Sequence, residues 1–262
     1  MRKLSERHPV RWISERVKGA ALFVILFVVW YFVARTGAVN KHILPAPSTV
    51  AHTFKHFVAN GVIALDIKAS LLLVAKGFGL GCTIGLLLGG AMGLSRLVEK
   101  LVGPTFHAVR QVPLLGWIPL IVMWFGVGNM SKVLFISIGA MYPIVLNTFE
   151  GIRSVPETYK ELASVFEYGK LRTLWRVILP SALPSIITGI RIGVGTTWML
   201  LVAAEILTVT SSGLGTLISE SREQFRMDIA LVGVVIIGVM GWIMNQSVGL
   251  FERRLLRWRK TG

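Results

Sequence analysis

The sequence is poor in charged residues and in cysteine. Charged residues make up 16% of its 262 residues, against about 25% in ordinary soluble proteins. The single cysteine, Cys82, excludes a disulfide or a cysteine-based metal site within one chain. Hydrophobic residues reach 53% and lie in long blocks. A typical soluble enzyme, a disordered chain and a coiled coil are therefore excluded.

The apolar blocks predict six transmembrane helices. Their approximate bounds are 19–36, 69–94, 103–127, 132–150, 182–208 and 228–250. These blocks are too long and unbroken for the alternating strands of a barrel, so we expect an all-α membrane protein. The first block is short, with 16 uncharged residues, and tilt would let it span. A cleaved signal peptide is the alternative for this block, since the small residues Thr36-Gly37-Ala38 follow it.

The 28 basic residues are divided unequally between the two sides that these helices define. With the N-terminus inside, 18 of them lie in the cytoplasmic leader 1–18, a short loop near residue 96, the segment 151–181 and the tail 253–262. Seven lie outside: Arg35, Lys41, Lys55, Lys68, Lys132, Arg222 and Arg226. This excess predicts that both termini are cytoplasmic. The net charge of +15 therefore orients the chain and meets anionic lipid, and no nucleic acid is needed to explain it.

The longest cytoplasmic connection, 151–181, predicts two amphipathic helices. Ser154 to Glu157 has the pattern of a capping box, with Pro156 in the first turn. The first helix has an apolar stripe, Tyr159, Leu162, Ala163 and Phe166. We expect Gly169 to end it and Pro180 to end the second. The second stripe is Leu171, Leu174, Trp175 and Ile178. A partner protein would cover these faces; alternatively, they fold back on the membrane or on neighbouring spans.

Several motifs occur in an order that resembles a known family. In the segment 151–181 they are Glu161-Leu162-Ala163, Gly169 and Ile178-Leu179-Pro180. Elsewhere they are Ile43 to Val50, Arg110 to Pro113, Trp124-Phe125-Gly126, Gly189-Ile190-Arg191, Ala204-Glu205 and Gly213-Leu214-Gly215. Over about residues 40–260 the chain resembles permease subunits of ABC importers, in the branch for aliphatic sulfonates, taurine and nitrate. It departs from the family's loop pattern at Leu162, the second position of the E-A-A motif, and at Glu167, where a glycine is usual.

The resemblance implies a type I ABC importer fold and a non-catalytic, homodimeric subunit of the bacterial inner membrane. It also implies solute delivery by an external binding protein and energy from two copies of a cytoplasmic ATPase. The sequence has no G-x-x-x-x-G-K-[ST] loop to hold ATP phosphates, so ATP belongs to that partner, and we expect no cofactor or metal in this chain. A secondary transporter driven by an ion gradient is the alternative, disfavoured because no matching halves are visible.

The first helix of the segment 151–181 is the candidate ATPase-coupling surface. The candidate residues are Glu157, Tyr159, Lys160, Glu161, Leu162, Ala163, Phe166 and Gly169. We expect this helix, over residues 157–168, to lie in a groove of the ATPase. Its apolar residues would make the contact and its charged residues would set the register.

Three ionisable residues within the predicted spans are candidates for the translocation pathway, because charge in lipid is costly. Arg191 is expected near mid-membrane, where it would attract an anion; pairing with a carboxylate is the alternative. Glu205 is expected near the outer mouth, with interfacial solvation as its alternative. Lys76 is expected in the outer half of the second span, where snorkelling is the alternative.

Glycines and prolines in the spans predict how the helices pack. Glycines recur every four residues in the second span, at Gly81, Gly85, Gly89 and Gly93. This spacing predicts close packing inside the subunit, in preference to a dimer seam. Pro113, Gly116 and Pro119 predict a bend in the third span.

Overall fold

The computed structural model describes residues 9–37, 39–40, 42–208 and 212–256, and the side chains of its first helix from residue 21. These ranges contain α-helices and short helical turns, with no strand among them. The helices are α1 Pro9–Thr36, α2 Pro47–Ala59, α3 Val62–Leu94, α4 Arg96–Arg110, α5 Ile118–Phe125, α6 Asn129–Arg153, α7 Glu157–Val165, α8 Lys170–Thr173, α9 Leu179–Leu207, α10 Leu214–Glu223 and α11 Met227–Leu255. The predicted all-α class is therefore confirmed.

Four helical segments are long and apolar enough to cross a membrane: α3, α6, the continuous stretch Lys170–Leu207 and α11. A fifth crossing is possible if α4 and the segment Leu114–Phe125 together make one span. The apolar part of α1, Ala21–Thr36, is shorter than these, so the first of the six predicted spans stays a prediction. The second begins at Val62, seven residues before its predicted start.

The predicted third span, 103–127, is not one helix. The chain breaks after Arg110, passes through a 3-10 turn at Leu114–Trp117 and bends by 93° between α4 and the segment Leu114–Phe125. Pro113 begins that turn in an extended conformation. A proline lacks the N–H that a continuing helix needs and disfavours helical geometry in the residue before it. The expected bend is confirmed, as a sharp break.

The glycine stripe of α3 faces α6 along its whole length, and it also includes Gly77. A Cβ added at Gly81 would lie 2.3 Å from the carbonyl oxygen of Ser137, and one at Gly89 would lie 2.6 Å from that of Val145. The backbones therefore touch where any side chain would hold them apart. This confirms that the stripe packs within the subunit.

Helix α6 is the centre of the bundle, with α3 on one side and α9 on another. Ile136, Ala140, Ile144 and Val145 of α6 are all buried. The two ends of α6 fix the rest of the layout: α7 follows its C-terminal end, and α10 follows α9 at the opposite end of the bundle. We call these the α7 end and the α10 end.

Candidate functional site

The start of α7 differs from the predicted capping box. Ser154 is the C-terminal cap of α6, with φ −76° and ψ −4°, and its hydroxyl donates to the Gly151 carbonyl at 3.0 Å. The residue that precedes α7 is Pro156, in an extended conformation and without a side-chain cap. The predicted cap is wrong because Ser154 still has helical geometry, so its hydroxyl reaches back into α6. Glu157 does lie in the first turn of α7, where the helix dipole favours negative charge.

The apolar side chains of α7 are mostly uncovered by the rest of the chain. Tyr159, Leu162 and Phe166 are 53%, 59% and 65% exposed. Ala163 is the one member of the predicted stripe that is buried. We call Tyr159, Leu162, Val165 and Phe166 the α7 surface. Single exposed apolar residues are ordinary, whereas a cluster such as this on one short helix is typical of a binding surface.

Charged side chains flank the α7 surface. Lys160 forms an ion pair with Glu157 at 3.2 Å, and Glu161 lies exposed on the following turn. Such exposed pairs add little stability. Their positions at the edge of an apolar surface suit them to orient a partner.

The end of α7 is a left-handed turn at Glu167. The Tyr168 N–H donates to the Ala163 carbonyl and the Glu167 N–H to the Ser164 carbonyl, both at 2.9 Å, which is the Schellman pattern. Glu167 has φ +54°, a conformation that favours glycine. The helix therefore ends at Val165 rather than at residue 168. Gly169 does not end α7; it has φ −63° and precedes α8.

The predicted second helix does not stop at Pro180. From Lys170 the chain is helical without interruption to Leu207, through a π-turn at Leu174–Ile178. Pro180 is the second residue of α9, directly after the π-turn, so the backbone hydrogen bond that a proline cannot donate is lost where the helical ladder is already irregular. Leu171 and Trp175 are exposed, so they do not fold back on the described spans of this chain.

Two of the three predicted pathway residues are exposed. Arg191 donates to Glu252 of α11 at 3.0 Å, which matches the carboxylate pairing named above as the alternative. Glu252 lies one turn before the end of α11 and Arg191 near the middle of α9, and the expected depth of Arg191 in the membrane stays a prediction. Lys76 is exposed beside Gly77, the first glycine of the stripe.

Glu205 is fully buried, which contradicts an interfacial, solvated carboxylate. Its two oxygens accept hydrogen bonds from the Ser70 hydroxyl and the Gly215 N–H, both at 2.8 Å. Lys132 of α6 is also buried and interacts electrostatically with this carboxylate. Lys132 was counted above among the basic residues on the outer side, which stays a prediction, and its side chain lies inside the bundle rather than in a solvated loop.

The same buried cluster includes a second carboxylate, which the sequence reasoning missed. Asp66 accepts a hydrogen bond from the Gly213 N–H at 3.1 Å, and the Leu214 N–H donates to the Ser70 hydroxyl at 3.1 Å. Three successive N–H groups at the start of α10 are thus satisfied by side chains of α3 and α9. We call Asp66, Ser70, Lys132 and Glu205 the buried polar cluster.

The glycines of the motif Gly213-Leu214-Gly215 explain how the carboxylate of Glu205 comes so close to the backbone at the start of α10. A Cβ at Gly213 would lie 2.5 Å from a carboxylate oxygen of Glu205, and one at Gly215 would lie 2.7 Å from its Cβ. Gly213 also has φ +150°, which other residues rarely adopt. A glutamate in an apolar span, followed eight and ten residues later by glycines, was the available signal.

Comparison with known proteins bears on both ends of the bundle. The family described as the binding-protein-dependent transport system inner membrane component matches residues 81–257, a range that holds α7 and, from the buried polar cluster, Lys132 and Glu205. The chain belongs to this family. It is thus a transport permease subunit of the ABC importers and not a catalytic enzyme.

Two relatives match the permease over nearly its whole length, and a third matches a shorter part of it. It is 36% identical over 261 residues to an aliphatic sulfonates transport permease protein, SsuC, of Bacillus subtilis, covering 100% of this chain and 93% of that one. It is 31% identical to the taurine transport system permease protein TauC of Escherichia coli, covering 97% and 94%. A bicarbonate transport system permease protein, CmpB, of Synechococcus elongatus is 34% identical, covering 72% and 68%.

Solved structures show the fold. The permease is similar to a chain of the inward-facing MetNI methionine ABC transporter, with a TM-score of 0.64 at 15% identity, covering 74% of this chain and 96% of that one. It is also similar to a chain of an amino acid ABC transporter, with a TM-score of 0.61 at 21% identity, covering 77% and 98%. As a family member, the permease is an inner membrane component that works with an ATPase and a solute-binding protein.

Proposed function

We propose that this permease imports a small anion, such as an aliphatic sulfonate, taurine, nitrate or bicarbonate, and that ATP binding by its partner drives the import through the α7 surface. The exposure of Leu162 and Phe166 is the observation that carries the proposal. These side chains lie on a helix that is otherwise anchored by the buried Ala163 and Val155. An ATPase groove would remove their apolar area from water and so supply binding free energy.

The proposed orientation places the α7 end and both termini in the cytoplasm. The support is the excess of basic residues at this end, which includes Arg253 and Arg254 in the last turn of α11. The α10 end then faces outside, where the binding protein delivers its solute. We propose that two copies of the permease enclose the pathway, because many apolar side chains of the long helices are exposed in one chain.

Arg191 and Lys76 are the proposed pathway residues. Both are basic and exposed, so each could meet an anion between two copies. Glu205 is excluded from direct contact with the solute by its burial, and we assign it instead to holding α10 in place. Names of relatives support the class of solute, and the binding protein is expected to select within that class.

The coupling proposal is tested with Leu162→Asp. This substitution places a charge in the proposed contact without disturbing the chain's own core. We expect at least a tenfold loss of affinity for the co-expressed ATPase, and loss of ATP-dependent uptake of labelled taurine, sulfonate, nitrate or bicarbonate. Ala163→Asp is less informative because Ala163 is buried, so the variant would also damage the fold.

Ser164→Asp is the matched control, since Ser164 is also exposed on α7 but lies about 200° around the helix from Leu162, away from the α7 surface. It should retain ATPase binding and uptake. If Leu162→Asp binds the ATPase as well as Ser164→Asp does, the α7 surface is not the contact. Uptake that continues without any ATPase would instead support the secondary transporter.

A further inference from the structure

A cavity of about 220 Å³ lies beside α10, between the start of α3 and the start of α11. Its polar wall consists of side chains that carry oxygen: Asp66, Ser212, Thr216, Glu220, Ser221 and Gln224. We call this space the α10 cavity. Asp66 and Glu220 both contribute to its wall, whereas Glu205 does not and lies against the glycines at the start of α10.

The charge of the α10 cavity is negative. Asp66 as a residue is 8% exposed, and the carboxylate of Glu220 is close enough to repel that of Asp66. The residues that line the cavity, all of them described, include no Lys, Arg or His. Two carboxylates that face one space favour a cation between them, because the cation offsets their mutual repulsion and the desolvation of the buried Asp66.

Thr216 gives a second and independent indication. This residue is 2% exposed, and its hydroxyl has no hydrogen-bond partner in the described part of the chain. A buried hydroxyl without a partner is uncommon in native structures and calls for an explanation. Since Thr216 forms part of the cavity wall, a cation held there would give its oxygen the missing partner.

The donor atoms of the cavity wall determine which kind of cation it suits. Its donors are carboxylate, hydroxyl and amide oxygens, which suit hard cations, and it has no sulfur or imidazole for a transition metal. Ca²⁺ and Na⁺ accept irregular oxygen shells, whereas Mg²⁺ demands a near-ideal octahedron. The volume also leaves room for several waters at about 30 Å³ each, which would complete the shell.

We propose that the α10 cavity is a binding site for a hard cation of the Ca²⁺ or Na⁺ type, with Asp66 and Glu220 as its charged ligands and Thr216 as a neutral one. The bound cation joins α3 to the middle of α10, next to the point where the buried polar cluster holds the start of α10. The site would therefore stiffen the attachment of α10 to the bundle. This proposal does not depend on the solute or on the ATPase.

The test uses the full-length permease purified in detergent, without nucleotide or binding protein. Its thermal unfolding midpoint is measured in choline chloride and then with CaCl₂, NaCl, KCl or MgCl₂ at equal ionic strength. We expect Ca²⁺ or Na⁺ to raise the midpoint saturably, by about 5 °C at a hundredfold excess over the dissociation constant. The separate arms identify which of the two cations binds.

Glu220→Gln is the decisive variant, because Glu220 is exposed and its replacement leaves the fold intact. We expect at least tenfold weaker binding of the cation in Glu220→Gln and a smaller loss in Thr216→Val. Glu223→Gln, on the same helix but outside the cavity wall, should bind as the original chain does. The proposal is overturned if no cation raises the unfolding midpoint above its value in choline chloride. It is also overturned if a cation raises the midpoint of Glu220→Gln as much as that of Glu223→Gln.

Discussion

The α7 end and the α10 end of this permease treat their side chains in opposite ways. At the α10 end, charged groups are drawn inside: Glu205 and Lys132 are buried, and the start of α10 receives its hydrogen bonds from other helices. At the α7 end, apolar groups such as Leu162 and Phe166 are left outside. The start of α10 is thus held by side chains of its own chain, whereas the α7 surface is left open, as the proposed ATPase contact requires.

The largest difference between the two ends is expected when the same charged residue is introduced at each of them. Leu214 begins α10 and is fully buried, so Leu214→Asp should cost about 4 kcal/mol of unfolding free energy or more. Leu162→Asp should cost below about 1 kcal/mol, because its side chain already meets solvent. Denaturant titration in mixed micelles measures both. Similar losses in the two variants would show that α7 is also part of the core.

The next largest effect concerns the buried polar cluster. Glu205→Ala removes the acceptor of the Gly215 N–H and the Ser70 hydroxyl and also the charge that faces Lys132. We expect a loss of about 3–5 kcal/mol in unfolding free energy. Glu223→Ala, at an exposed position of α10, should change it by less than about 0.5 kcal/mol. A small loss in Glu205→Ala would mean that the cluster does not hold the α10 end together.

A third experiment examines the contact between α3 and α6 that joins the two ends. Gly81→Ala forces a Cβ against the backbone of α6 and should cost about 1–3 kcal/mol. Gly79 lies on the same helix with nothing within 4 Å of an added Cβ. Gly79→Ala should therefore stabilise the helix slightly. Equal responses in thermal unfolding would exclude close packing along the stripe.

The smallest expected effect is at the turn after α7. Glu167→Gly relieves a left-handed backbone conformation and should stabilise the local fold by about 0.5–1 kcal/mol. Glu161→Gly, inside α7, should destabilise the local fold by a similar amount. Hydrogen exchange of the α7 amides reports on both variants. A loss of protection in Glu167→Gly would indicate that the glutamate side chain itself stabilises the turn.

Local patterns in the sequence were sufficient for the features that depend on neighbouring residues. The four-residue spacing of the glycines predicted the face that packs on α6, and the apolar spacing placed α7 close to its observed position. The capping box failed because Ser154 belongs to the preceding helix in three dimensions. The prediction that Pro180 ends a helix failed because the π-turn at Leu174–Ile178 lies just before this proline, and the helix continues through both.

Contacts between residues that lie far apart in the sequence could not be predicted from local patterns. Ser70 and Glu205 are 135 residues apart, and Asp66 and Gly213 are 147 apart, so no periodicity links them. Lys132 was placed outside because it lies between two apolar blocks, yet α6 begins before it and carries it into the bundle. Burial of a charge depends on which partners the fold supplies, and these come from other helices.

Helix α6 is one continuous element of 25 residues, about 37 Å long, and it has Lys132 near one end and Arg153 at the other. Its backbone touches that of α3 along the glycine stripe, and this packing continues on both sides of Pro143, where α6 lacks one backbone hydrogen bond, so the pair resists relative sliding. A displacement applied beside Arg153 would consequently reach the surroundings of Lys132 with little attenuation. Mechanical stiffness alone would let the two ends of this permease move in step, without a chain of intermediate side-chain rearrangements.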